Sequence, residues 1–215
     1  MTENKNVMKT LLKSNYLWIL LFGSLIGLNE TLTGSLNIPY RSVVLSTITI
    51  ALLAMARYYI PKTGTSLVII AVALLFKMNT MGVHNCTAPA MLCGPTAMLL
   101  LGIGFEIFAS LLVGNRPFRH LNYLLTCALT AAFAFTIFAI LQTYILSIWD
   151  SARLVNYIFI RGMMTAMASG IVSISLLLIV RRFGNINISK INPSIVHGVL
   201  FSIILTLWFL GYYSA

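Results

Sequence analysis

Acidic side chains are nearly missing from this sequence: there are four in 215 residues, and Asp150 is the single aspartate. Charge of either sign makes up 8% of the chain and hydrophobic residues 59%, whereas about a quarter of an ordinary soluble domain is charged. That composition excludes a water-soluble fold, which would have nowhere to put so much apolar surface. Three cysteines, with no CxxC or paired zinc spacing, exclude a disulfide framework and a structural zinc motif. The patterns HExxH, GxSxG and GxxxxGK do not occur, so the common hydrolytic signatures and an ATP site of the chain's own drop out. No catalytic residue, metal or cofactor is assigned on these grounds.

What the sequence has instead is a succession of apolar runs. Stretches of roughly 18 or more such residues can cross a hydrocarbon core of about 30 Å as helices. Hydropathy places spans at about 16–34, 42–60, 64–79, 91–114, 121–148, 155–180 and 194–213. The fold class predicted is all-α, a polytopic transmembrane bundle of seven spans forming one domain over 1–215. The first span follows three lysines but contains Asn29 and Glu30 and lacks a small-residue cleavage site, so it is expected to be retained. The third is short. Gly82, Pro89, Gly94 and Pro95 follow it, which favours a bent or re-entrant connection between 80 and 95.

The net charge of +10 is spread as short clusters between the apolar runs. That is the pattern of membrane-end anchors and excludes a nucleic-acid surface. With the N-terminus in the cytoplasm, the inner ends receive Lys5, Lys9, Lys13, Arg57, Lys62, Arg116, Arg119, Arg181, Arg182 and Lys190, ten in all. The outer side receives four: Arg41, Lys77, Arg153 and Arg161. The excess of inner cations agrees with seven spans in a cell (cytoplasmic) membrane and an outer C-terminus. Six spans would reverse the later loops and put Arg181, Arg182 and Lys190 outside. Trp149, Tyr144, Tyr212 and Tyr213 fall where outer interfacial anchors belong.

Ionisable groups in hydrocarbon are costly unless paired or hydrated, so those inside spans are the first candidates for a site. Asn29, Glu30, Arg41, Lys77, His84 and Arg161 fall in the outer part of the membrane, more of them basic than acidic. They are expected to line an outward-facing pocket for a small polar or anionic ligand. Glu106 lies past the middle of span four and Arg57 near the inner face, as buried charges. The structural alternative pairs Glu30 with Arg41 or Lys77, and Glu106 with Arg57 or Arg161, as bridges between helices. The segment GVHNCTAPAMLCGP brings His84, Cys86 and Cys93 near turn formers, and a gate over the pocket is its expected role; metal or disulfide chemistry there matches no strong spacing. Met163, Met164 and Met167 are expected to fill helix packing. Small residues four apart, Gly23 with Gly27 and Gly162 with Ala166 and Gly170, let helices approach closely, within the chain or against another.

The run PKTGTSLVIIAVALLF, a polar loop, and then AMLLLGIGFEIFASLLVG together resemble part of the substrate-binding S components of energy-coupling factor importers. The resemblance covers Ile60 through Gly114. It implies capture of a vitamin-like solute outside, a partner transmembrane subunit and two cytoplasmic ATPases, with a face such as Gly23 to Gly27 meeting the partner. Most S components have six spans. Those for nickel and cobalt have seven, but their metal-binding start is not reproduced by MTENKNVMK. Two further functions stay open: an intramembrane enzyme or lipid-modifying protein using Glu106 or the His84 and Cys86 pair, and a structural subunit of a larger membrane complex.

Overall fold

The structure, a computed structural model, describes the backbone of residues 2–35, 38–81, 88–114, 120–183 and 193–214. Among them the chain forms seven helical rods and no strand. They are α1 (Thr2–Ser35), α2 (Arg41–Tyr59), α3 (Thr65–Met81) and α4 (Ala88–Phe108, extended by a π-helical turn at Ala109–Val113). Then come α5 (His120–Ile140, with a π turn at Leu141–Ile145), α6 (Ser151–Val155, through a π segment at Asn156–Gly162 into Met163–Phe183) and α7 (Pro193–Ser214). The breaks have local causes. Pro61 pushes Ile60 out of the helical region, to φ −126° and ψ 82°. Gly64 takes φ +83°, open to glycine at no steric cost, and α3 restarts from it.

Five of the rods are long and apolar enough to cross a membrane by length and composition; the apolar parts of α3 and α7 are shorter. At 1.5 Å per residue, the 17 residues of α3 reach about 25 Å. The bent connection expected before Pro95 is not what forms over 88–95. Helix α4 starts at Ala88, with Pro89 in its first turn, where no intrahelical N–H is needed, and runs on through Pro95. Gly82, His84 and Cys86 lie outside the described residues.

Successive rods alternate in direction. Helices α1, α3, α4, α5 and α6 follow one another around the bundle, and α2 closes the circuit while also touching α3, α4 and α5. Helix α7 packs outside on α1, with an edge on α3. Ile26, Ile50, Leu53, Ile69, Ile70, Phe105 and Leu177 fill the centre.

Glycines set the closest approaches. A Cβ on Gly23 would stand 2.6 Å from Val72, and one on Gly27 would stand 2.7 Å from Phe76. The Gly23 to Gly27 face is therefore taken by α3 of the same chain and is not open to another subunit. Gly162 and Gly170 likewise face Phe135 and Leu124 of α5. Trp208 of α7 donates its indole N–H to the Ser24 hydroxyl at 2.9 Å, fixing the outer rod.

The methionine expectation fails. Met163, Met164 and Met167 are 60%, 43% and 67% exposed, on the perimeter with Leu75, Leu111 and Ile171. Hydropathy cannot tell a core-facing apolar side chain from one turned toward lipid.

Candidate functional site

Alternating helix direction gathers the in-span charges at two opposite ends of the bundle. One end holds the start of α3 and the end of α2. There the Glu106 carboxylate accepts hydrogen bonds from the backbone N–H of Gly64 at 2.7 Å and of Ser66 at 3.2 Å. Ser110, one turn further along α4, donates its hydroxyl at 3.2 Å. Arg57 stands 3.6 Å away and donates from Nη1 to the carbonyl of Lys62. A carboxylate on the first N–H groups of α3 satisfies donors that the helix leaves open and faces the positive end of its dipole. Glu106 is thus an end-of-bundle cap, and of the two partners expected for it the structure selects Arg57.

At the other end Glu30 lies 3.9 Å from Lys77, with Arg41 also within electrostatic reach. Its Oε1 fills the space over Gly94, where a Cβ would come to 2.7 Å. Asn29 donates to the carbonyl of Leu45 at 3.4 Å and accepts from Thr33 at 3.2 Å. Lys77 and Arg41 thus both act on Glu30, while Asn29 beside it in sequence is bound to Leu45 and Thr33.

Arg161 belongs to a second group at the same end. It donates to Ser42 at 3.4 Å, and its guanidinium carbon lies 5.7 Å from the ring centres of both Tyr40 and Tyr157, within cation–π range. Among the described residues it has no carboxylate within ion-pair distance. Tyr157 shares a hydrogen bond with Ser42 and stacks among Phe135, Phe138 and Trp149 at 4.8–5.8 Å. Trp149, expected as an interfacial anchor, is half-buried and joins this cluster beneath Arg153. Tyr144, Tyr212 and Tyr213 are 72%, 54% and 72% exposed, as anchors would be.

The backbone around Arg161 is irregular. Tyr40 sits at φ +58°, a left-handed conformation that costs a residue with a Cβ about 1–2 kcal/mol. Tyr157 and Arg161 lie within the π segment Asn156–Gly162, and Gln142 lies in the turn Leu141–Ile145. Such segments occur often at functional sites. Gln142 is 2% exposed and donates to the Cys93 sulfur at 3.4 Å, and its Oε1 has no hydrogen-bond partner among the described residues. His84, the remaining expected ligand residue, lies outside the described residues.

A feature that reading for charge missed is the row Arg161, Thr165, Ser169 and Ser173, four residues apart on α6. The last three are fully buried. Cys127 of α5 donates its thiol to the Ser173 hydroxyl at 3.4 Å, while Thr165 and Ser169 bond back to the carbonyls of Arg161 and Ala166 on their own helix. The row is thus a buried polar stripe along α6. Its signal was the four-residue period of hydroxyls starting at Arg161, which hydropathy averages away.

The expected ligand residues do not line the groove found on α7. That groove, about 540 Å³, runs along Gly198, Ser202 and Thr206, with Val199, Ile203 and Leu207 beside them. Comparison of the chain with protein-family models, curated sequences and solved structures finds no match.

Proposed function

We propose that this chain is a seven-span protein of the cytoplasmic membrane, with its N-terminus inside, that captures a small anionic solute from outside at the Arg161 end. The observation carrying this reading is Arg161 itself. It is a half-buried cation, held by a hydroxyl and two aromatic faces, with no carboxylate beside it among the described residues. Arg41 and Lys77 at the same end add positive charge that Glu30 offsets only in part. An arginine fork suits a carboxylate or phosphate, and the Tyr40, Tyr157 and Trp149 rings suit a flat or apolar body attached to it. That combination is vitamin-like.

The finer assignment, a substrate-binding subunit of an energy-coupling factor type importer, is supported by the resemblance over Ile60 to Gly114 and by the missing P-loop, since ATP would act through other subunits. In that assembly the partner transmembrane subunit meets α7, where Gly198, Ser202 and Thr206 leave a small-residue face open, because α3 fills the Gly23 to Gly27 face. An enzyme built on Glu106 fits less well. Its carboxylate is engaged by Gly64, Ser66, Ser110 and Arg57, leaving little of it for a substrate.

The test is thermal unfolding of the purified protein with a panel of vitamins, nucleobases and organic acids, repeated on Arg161→Gln. A selective ligand raises the midpoint of the wild type and not of the variant. A panel in which no compound raises it, or an Arg161→Gln protein that responds equally, refutes the reading.

A further inference from the structure

From Met163 to Phe183 helix α6 is regular, so residues three, four or seven apart share a face. Met164, Met167, Ile171, Leu178 and Arg182 follow that spacing, and all five are exposed. One apolar stripe thus runs along the outside of α6 and ends on a cation, with the exposed Arg181 beside it. Arg182 stands 11 residues beyond Ile171. At 1.5 Å per residue that is about 16 Å, the depth of one leaflet in a hydrocarbon core about 30 Å thick.

The two arginines lie at the Glu106 end, since α6 runs there from Arg161. Cys127 of the antiparallel α5 meets Ser173, and seven residues toward this end along each helix lie His120 and Val180, so the exposed His120 reaches the same level. Among the described residues neither arginine has a carboxylate within ion-pair distance. Glu106, the carboxylate at this end among the described side chains, is taken by Gly64, Ser66, Ser110 and Arg57. A pair of exposed cations closing an apolar stripe one leaflet long complements an anionic phospholipid in both charge and shape.

We infer that this face of α6 holds an anionic phospholipid, its phosphate on Arg181 and Arg182 and an acyl chain along Leu178 and Ile171. A free phosphate would use the arginines and leave the stripe without a role. The inference rests on the membrane part of the reading above and not on solute capture at Arg161. Cations that only complemented the negative C-terminal end of α6 would act alike in any lipid, whereas a held lipid depends on its headgroup charge.

The experiment uses the full chain in a detergent with neutral headgroups and follows the unfolding midpoint as phosphatidylglycerol or phosphatidylcholine with the same acyl chains is added. Phosphatidylglycerol should raise the midpoint saturably by roughly 3–8 °C, and phosphatidylcholine by clearly less. Arg181→Gln together with Arg182→Gln should raise the half-saturating amount of phosphatidylglycerol at least about tenfold. Lys62→Gln removes an exposed cation of the same end from the turn between α2 and α3 and should leave that amount nearly unchanged. If the double variant does not fold, Arg182→Gln alone should show the same shift at smaller size. Equal rises with the two lipids, a rise that survives the arginine substitutions, an equal loss in Lys62→Gln, or a rise reproduced by inorganic phosphate would each overturn the site. Failure of the capture reading looks different: no solute would stabilise the protein, while the response to phosphatidylglycerol stayed intact in wild type and in Arg161→Gln.

Discussion

Glu106 and Glu30 are both carboxylates inside the bundle and both stand beside a base, yet their surroundings differ in kind. Around Glu106 two backbone N–H groups, a serine hydroxyl and a buried arginine converge, and a helix start depends on it. Around Glu30 a lysine stands at the 3.9 Å limit of an ion pair, and cations outnumber the acid. The first arrangement holds helices together and has little of its carboxylate free. The second, with Arg161 bonded to Ser42 at the same end and without a carboxylate at ion-pair distance among the described residues, keeps positive charge in reserve. Burial of charge alone does not separate a brace from a binding site; the number of satisfied bonds does.

That contrast can be broken most directly at Glu106. Replacing it with alanine removes the α3 cap and leaves Arg57 buried without its counter-charge, a change that costs on the order of 3–5 kcal/mol. Chemical denaturation in detergent micelles should register this as a large drop in midpoint. A loss under 1 kcal/mol would mean that Glu106 is not the brace described above. Next in size is Arg161→Gln. It should weaken binding of the stabilising ligand at least tenfold, equivalent to about 1.4 kcal/mol, while moving the midpoint of the free protein little. A variant that unfolds as readily as Glu106→Ala would make Arg161 another brace and erase the difference between the ends.

How far these ends were legible beforehand follows from what each signal measures. Hydropathy located all seven rods, because an apolar helix registers over its length whichever way it faces. Scarcity of acid singled out Glu30 and Glu106, and depth along the spans narrowed their partners to a few bases. Depth says nothing about which faces meet. The capping of α3 by Glu106 joins residues 42 apart, and no local pattern announces it. Facing also decided the methionines on α6, which lie outside although their hydropathy suits a core. The π segments around Gln142 and Arg161 shift helical phase by an amount that a fixed 3.6-residue period does not anticipate.

Glu30→Gln sharpens the comparison from the weaker side. Its pair with Lys77 is long, at 3.9 Å, and no helix start depends on it, so the unfolding midpoint should fall by clearly less than in Glu106→Ala. Removing the one acid among Arg41 and Lys77 should at the same time strengthen attraction for an anionic ligand. A loss of stability matching Glu106→Ala would contradict the division of roles.

The smallest expected effect, and the most discriminating for geometry, is at Gly94. A methyl group there meets nothing rigid: it would stand 2.7 Å from Glu30 Oε1, the far end of a flexible side chain, and the next atom is also Glu30's, at 3.7 Å. Gly94→Ala should therefore push the carboxylate aside without disturbing α4, and helical alanine offsets part of any cost by up to about 1 kcal/mol relative to glycine. Stability should stay within about 0.5 kcal/mol of wild type, while ligand affinity shifts in the same direction as in Glu30→Gln. Gly27→Ala supplies the contrast, since its methyl would meet Phe76 at 2.7 Å within the packed α1 and α3 interface and should cost about 1–3 kcal/mol. If unfolding measurements gave the two substitutions equal penalties, Glu30 would be as rigidly held as the core, and the spare positive charge at its end would have to be explained as structure.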